Sequence, residues 1–190
     1  MALKIDQIKD LQDNSIISKS GSNITLGASN DTITVPTGAS LTVPNGGLTG
    51  QNYPAFHAYS ASAQSIPNTT QTTMTFTTED FDTDNAFDTS TGIFTVPSNK
   101  GGKYFLYCSA ALNGVTPSRF LLTGYHNNAT AIMANETGNA SAYSIVNVGG
   151  QFNLSAGDTF RFKIYQNNGG AVNTFAYRHI VFIGAYRIGA

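Results

Sequence analysis

One cysteine, Cys108, stands in the whole chain, so no intrachain disulfide can brace it. Charge is scarce as well. Only 11% of the residues are Asp, Glu, Lys or Arg, where about 25% is ordinary. What charge there is nearly cancels, to a formal net of −1. A chain without a basic field has nothing with which to draw in nucleic acid or an anionic membrane surface, and neither is expected as a partner. No apolar run reaches the length of a membrane span, so insertion is not expected either. The opening residues Met-Ala-Leu-Lys-Ile-Asp lack the apolar stretch of a secretory signal, and synthesis in a cytoplasm is the expectation. Histidines number three, His57, His126 and His179, none at a metal-ligand spacing. Gly-x-Ser-x-Gly, phosphate-loop and dinucleotide fingerprints are missing. No metal, no cofactor and no enzymatic activity are expected.

What is present is a 41% apolar content, enough for a core, on a background of Ser, Thr, Asn and Gly. Such a composition suits an all-β protein with a hydroxyl- and amide-rich surface. Cys108 lies inside an apolar strand and reads as a small buried hydrophobe. The chain divides into three stretches: 1–14, 15–53 and 54–190.

In the first stretch Ile5, Ile8 and Leu11 stand three apart, the spacing of a short amphipathic helix that would anchor the protein to a partner. Alone it is too short to be stable. The second stretch repeats an apolar-Thr-apolar unit: Ile24-Thr-Leu26, Ile33-Thr-Val35 and Leu41-Thr-Val43. Gly, Ala, Ser, Asn and Asp fill the gaps as turns. Strands this short cannot close a core within one chain, but three copies around an axis can. Ile24, Leu26, Ile33, Val35, Leu41 and Val43 are the expected core of such a shaft. Residues 44–54 read as a hinge into a head.

Strands of the head fall into two kinds. In residues 73–78, Met74 and Phe76 alternate with threonines. In residues 159–165, Phe160, Phe162 and Ile164 alternate with Arg161 and Lys163. Both patterns predict a sheet with one face in water. Residues 104–112 are apolar on both sides, with Tyr104, Leu106, Cys108, Ala110 and Leu112 on one and Phe105, Tyr107 and Ala111 on the other. Residues 179–188 behave alike: Ile180, Phe182, Tyr186 and Ile188 against Val181, Ile183 and Ala185. A strand apolar on both faces must bury both, so one of them needs a second subunit. Phe105, Tyr107, Val181 and Ile183 are assigned to that subunit interface, and His57 and His179 to the same inner-sheet strands.

The densest pattern is residues 76–106. Phe76, Asp82, Phe87, Phe94 and Gly102 are separated by five, four, six and seven residues, and Gly102-x-Tyr104-x-Leu106 follows. This resembles the signature of the complement C1q globular-head family, relatives of the tumour necrosis factor jelly roll. Two departures stand out. The gap before Gly102 is two residues longer than the family's, which predicts a longer turn at residues 97–101. Leu106 stands where the family has Phe. Ala156-Gly157-Asp158 and Phe182-Ile-Gly184 are similar to the family's C-terminal half. The resemblance implies a ten-stranded jelly-roll sandwich, with the two-sided strands lining a threefold axis.

Among the acidic residues Glu79, Asp80, Asp82, Asp84 and Asp88, Asp82 falls on a signature position and reads as a turn residue. The cluster has no EF-hand spacing. His126, Asn127 and Asn128 form a candidate ligand loop. Together these readings predict a non-enzymatic, homotrimeric virion protein of a phage, made in the host cytoplasm and carried on the particle surface. Capsid decoration or a head fibre, held by the major capsid protein, is the leading placement. A tail fibre or receptor-binding tip on a tail protein, and a soluble carbohydrate-binding module, are the alternatives. Host-surface glycans are the candidate ligands.

Overall fold

A computed structural model describes residues 7–9, 15–20, 23–26, 33–40, 53–138 and 145–189. The chain divides after Gly50 into two units, each described by itself.

In the first unit β1 (Gln7–Lys9), β2 (Ser15–Ser20) and β3 (Asn23–Leu26) form an antiparallel sheet in that order. The helix expected over residues 3–13 is therefore corrected: Ile8 lies in a strand, opposite Ile17. Eleven residues gain little from a lone helix, whereas the β-branched pair Ile16-Ile17 favours a strand and offers β1 a ladder. That ladder crosses the boundary expected after residue 14. Ile5 and Leu11 lie outside the described residues. Of the expected shaft core, Ile24 and Leu26 lie on β3, and Leu41 and Val43 are outside the described residues. Ile33 and Val35 lie in irregular chain, 61% and 43% exposed. A turn at residues 36–39 follows, closed by the Ala39 amide donating to the Pro36 carbonyl at 3.0 Å.

The second unit carries β4 (Ala55–Tyr59), β5 (Ser65–Ile66), β6 (Thr72–Thr73), β7 (Thr78–Asp82), β8 (Phe87–Asp88), β9 (Ile93–Thr95), β10 (Gly102–Ala111), β11 (Phe120–His126), β12 (Thr130–Thr137), β13 (Ile145–Leu154), β14 (Thr159–Gln166), β15 (Val172–Asn173) and β16 (Phe182–Gly189). These build an all-β sandwich. One sheet runs β13-β10-β16-β4-β7; the other runs β12-β11-β14-β9-β8, with β6 also on β14. We call them inner and outer. A short β15–β5 ladder stands apart. The sheets hold five and six strands where ten in all were expected, because the chain from 65 to 95 is cut into short pieces. Part of the reason is Gln64, whose side-chain amide takes over from the ladder. It donates to the Thr73 carbonyl at 2.8 Å and accepts the Thr75 amide at 3.0 Å.

The signature residues turn out to be the core. Phe56 stacks on Phe87 with ring centroids 4.4 Å apart and on Phe94 at 5.2 Å; Phe94 meets Tyr104 at 5.7 Å, and Phe76 meets Phe87 at 6.1 Å. Aromatic pairs at such separations add to plain area burial. Asp82 plays the turn role expected of it. Its carboxylate accepts the Phe87 amide at 2.7 Å and the Asp84 amide at 3.2 Å. The longer turn before Gly102 is accommodated by Asn99 in the left-handed region, and the Tyr104 hydroxyl donates to the Lys100 carbonyl at 2.6 Å. Burial pushes the Tyr104 phenol up to about 12. Gly92 is required where it stands: its φ is +69°, and a Cβ there would run into the Met74 carbonyl. Met74, Phe76, Phe160, Phe162 and Ile164 are buried as their alternation predicts. So is Cys108, whose thiol burial pushes well above its ordinary range.

Candidate functional site

Strand pairing decides what each face of the inner sheet presents. Residues directly opposite in a ladder share a face. Tyr104, Leu106, Cys108 and Ala110 point into the core. Opposite Leu106 stands Ala185, and opposite Cys108 stands Ile183. Val181, Ile183 and Ala185 are accordingly core residues, buried to 2% exposure or less. This corrects the assignment of Val181 and Ile183 to the interface. Their neighbours Phe182 and Tyr186 take the outward face, with Phe105 and Tyr107 as expected. Phe105 lies opposite Tyr186, and Tyr107 opposite Gly184.

On β4, Phe56 and Ala58 point inward, which leaves His57 outward, opposite Gly184 on one side and Phe81 on the other. The result is a continuous aromatic surface. Phe105 approaches Tyr107 at 5.9 Å and Tyr186 at 5.5 Å; Tyr107 meets Phe182 at 6.2 Å. His57 lies 5.8 Å from Phe182, 6.3 Å from Tyr107 and 6.4 Å from Phe81. Glycine flattens the surface in two places. A Cβ at Gly184 would collide with the Tyr107 phenol, and one at Gly149 would press on Phe105 and Tyr107. Both rings therefore lie down against neighbouring backbone. In the single chain Phe81, Tyr186, Ile188 and Ile145 remain 45–50% exposed.

A polar cluster rims this surface. His57 Nδ1 and Asp80 Oδ2 are 2.6 Å apart, and Arg178 Nη2 reaches the same oxygen at 2.7 Å while its guanidinium lies 5.4 Å from the Tyr59 ring centroid. Burial pushes the Asp80 carboxyl up, but hydrogen bonds from Arg178 and His57, and their charge, outweigh it and hold the group below its ordinary value. His179 is not on a strand: β16 begins at Phe182, and His179 sits exposed in the preceding turn, stacked on Tyr177 at 5.8 Å. Asp82, Asp84 and Asp88 are used locally. Asp88 accepts from the Ser90 amide and hydroxyl and the Thr91 hydroxyl at 2.7–2.9 Å. Among the described residues no three His, Cys, Asp or Glu side chains converge as a metal site would require.

His126, Asn127 and Asn128 close the β11–β12 hairpin. Asn127 and Asn128 both have positive φ, 49° and 58°, as the central residues of a turn of this hand demand; the Ala129 amide closes it by donating to the His126 carbonyl at 3.1 Å. Two of the three side chains are spent on the fold. His126 Nε2 lies within ion-pair reach of Asp158 Oδ2, at 3.0 Å, without the alignment of a hydrogen bond, and Asn127 donates to Asp158 Oδ1 at 2.9 Å and accepts the Thr159 amide at 2.7 Å. Hydrogen bonds from Asn127 and the Ser155 amide hold the Asp158 carboxyl below its ordinary value. The loop expected to hold a ligand is thus a clasp between β11 and β14.

The sequence reasoning placed Phe105 and Tyr107 on the outward face but did not place Phe182, Tyr186 or the His57–Asp80–Arg178 rim there. A signal existed for His57, since Phe56 and Ala58 alternate with it. No local signal joins Asp80 to Arg178.

Comparison with known proteins places this geometry. A model of the C1q domain matches residues 55–185. No curated protein sequence matches the chain. Among solved structures, murine APRIL at pH 5.0 is similar with a TM-score of 0.56 and 17% identity, over 72% of this chain and 100% of that one. The globular domain of the zebrafish complement 1qA protein gives 0.51 and 17%, over 72% and 98%. Eiger TNF from S. frugiperda gives 0.57 and 12%, over 72% and 93%. At these identities the likeness is one of fold.

Proposed function

The chain belongs to the C1q domain family, and from that premise we propose that it is a non-enzymatic homotrimer whose jelly-roll head is displayed on the surface of a phage particle. The open aromatic face of the inner sheet carries this reading. Phe105, Tyr107, Phe182, Tyr186 and His57 form one contiguous aromatic patch, and contiguous apolar surface of this kind marks interaction sites. A head-to-tail contact that closes around a threefold axis buries such a patch once per subunit. The same closure supplies the shaft stretch with two further copies of itself, which Ile33 and Val35 need in order to leave water.

Support for the virion setting comes from composition. A polar surface with few charges, a repeat of apolar-Thr-apolar units and a separate head fit a fibre that stands on a particle. In this reading residues 1–14 dock on the major capsid protein, and the head faces the host surface and its glycans. Removing residues 1–50 tests both halves. We expect the remaining head to stay folded and trimeric, since it is a unit of its own, and to disappear from purified particles. Truncated protein incorporated at normal levels would refute the docking. Density for the intact protein at the tail tip would make it a tail fibre. Its absence from particles altogether would leave a soluble carbohydrate-binding module.

A further inference from the structure

We propose that the solvent face of the outer sheet is a binding site for an anionic polysaccharide, with Tyr125, Arg161 and Lys163 at its centre. β11 and β14 lie side by side there, with Tyr125 opposite Arg161 and Thr123 opposite Lys163. Lys163 Nζ sits 4.5 Å from the Tyr125 ring centroid, and the Tyr125 hydroxyl donates to Gln71 Oε1 at 2.7 Å, which fixes the ring. One rung on, the Arg119 guanidinium lies 5.4 Å from the Tyr165 centroid.

Charge balance singles out the centre of this patch. Arg119 is neutralised by Glu136 through two hydrogen bonds of 2.7 and 2.9 Å. Arg161 and Lys163 enter no ion pair among the described residues. The whole chain has ten Lys and Arg residues, so two adjacent uncompensated cations are a notable fraction of its positive charge. Guarding a sheet edge does not explain them. Charged residues blunt edge strands, but β14 is interior, flanked by β11 on one side and by β9 and β6 on the other. Arg161 Nε is moreover already shut off from solvent without a hydrogen-bond partner. Part of the desolvation that an anion would impose on the guanidinium is therefore complete before binding.

The surroundings favour a sugar polymer over other polyanions. A tyrosine ring beside two cations accepts the C–H face of a sugar ring while the cations take its carboxylate, sulfate or phosphate. Gln71 and Thr73 at the margin offer groups for hydroxyls; Thr73 lies opposite Lys163 on β6. Two cations are too few to track the dense phosphates of a nucleic acid, one charge per about 1.7 Å of duplex. This face belongs to the sheet opposite the aromatic surface, and three sites per trimer would act by avidity.

Calorimetric titration of the full-length protein with polygalacturonate, dextran and duplex DNA tests this. We expect polygalacturonate to bind at low salt and weaken as salt rises, and dextran and DNA to bind far less. The double variant Arg161→Gln, Lys163→Gln should lose about tenfold or more in affinity, the loss of charge-assisted contacts, with native mass unchanged. Tyr125→Leu should weaken binding without altering charge. The proposal is overturned if polygalacturonate fails to bind, if the double variant binds normally, or if dextran or DNA binds as well as polygalacturonate. None of these outcomes bears on the trimer, which is read from the native mass.

Discussion

Phe182→Asp should convert the assembly into single chains that remain folded. Phe182 lies on the outward face of β16, against Tyr107 and His57, and contributes nothing to the sandwich interior. Fully burying an exposed aromatic is worth about 1.5–3 kcal/mol; Phe182 is already partly covered by its own chain, so each subunit gains a fraction of that, and the loss is repeated three times per trimer. The new carboxylate also joins a rim that already holds Asp80, so repulsion between like charges adds to the loss. Phe105→Asp and Tyr107→Asp should act alike. Lys163→Asp, on the opposite sheet, should leave assembly intact. Sedimentation velocity reads the mass, and near-ultraviolet circular dichroism reads whether the head is still packed. Trimers that survive Phe182→Asp would move the interface to another face.

Ile183→Asp, one residue along the same strand, should instead unfold the head. Ile183 is 1% exposed and stands opposite Cys108. A carboxylate there would have no partner and would cost several kcal/mol in desolvation, in addition to the lost apolar burial. Total stability of a domain is only about 5–15 kcal/mol. The expected outcome is insoluble protein or a chain without a cooperative melt, and Val181→Asp should match it. A soluble, cooperatively melting monomer from Ile183→Asp would mean that the faces of β16 are the other way round.

That contrast marks where the sequence stops being legible. β10 carries its own phase marker: Lys103 shares a face with Phe105 and Tyr107, so that face reads as outward. β16 is apolar on both sides, and such a strand has no internal phase; a shift of one residue exchanges every side chain. Its one charge misleads. Arg187 alternates with Ile183 and Ala185, and the alternation alone marks their face as wet. In the structure it stands opposite Tyr104, at the end of the regular ladder, and its guanidinium reaches past the sheet to donate to the Gly101 carbonyl. Only the ladder to β10 resolves the phase, and that is a long-range fact.

The aromatic core was legible because turn residues and rings keep a fixed spacing between Phe76 and Leu106. The one-sided outer strand β14 was legible because Arg161 and Lys163 interrupt its apolar residues. The N-terminal helix was misread because a three-residue spacing also permits a strand when β-branched neighbours supply a partner, as Ile16-Ile17 do for β1. The clasp made by the His126 loop was not legible because His and Asn serve turns as readily as ligands, and Asp158, which engages them, is distant in the chain.

The central claim is that the aromatic face of the inner sheet closes a trimer. Sedimentation equilibrium of the unmodified protein at micromolar concentration tests it most directly. The account predicts a single species of three times the 20.1 kDa chain mass. A species of one chain mass, with the aromatic face left in water, would contradict it.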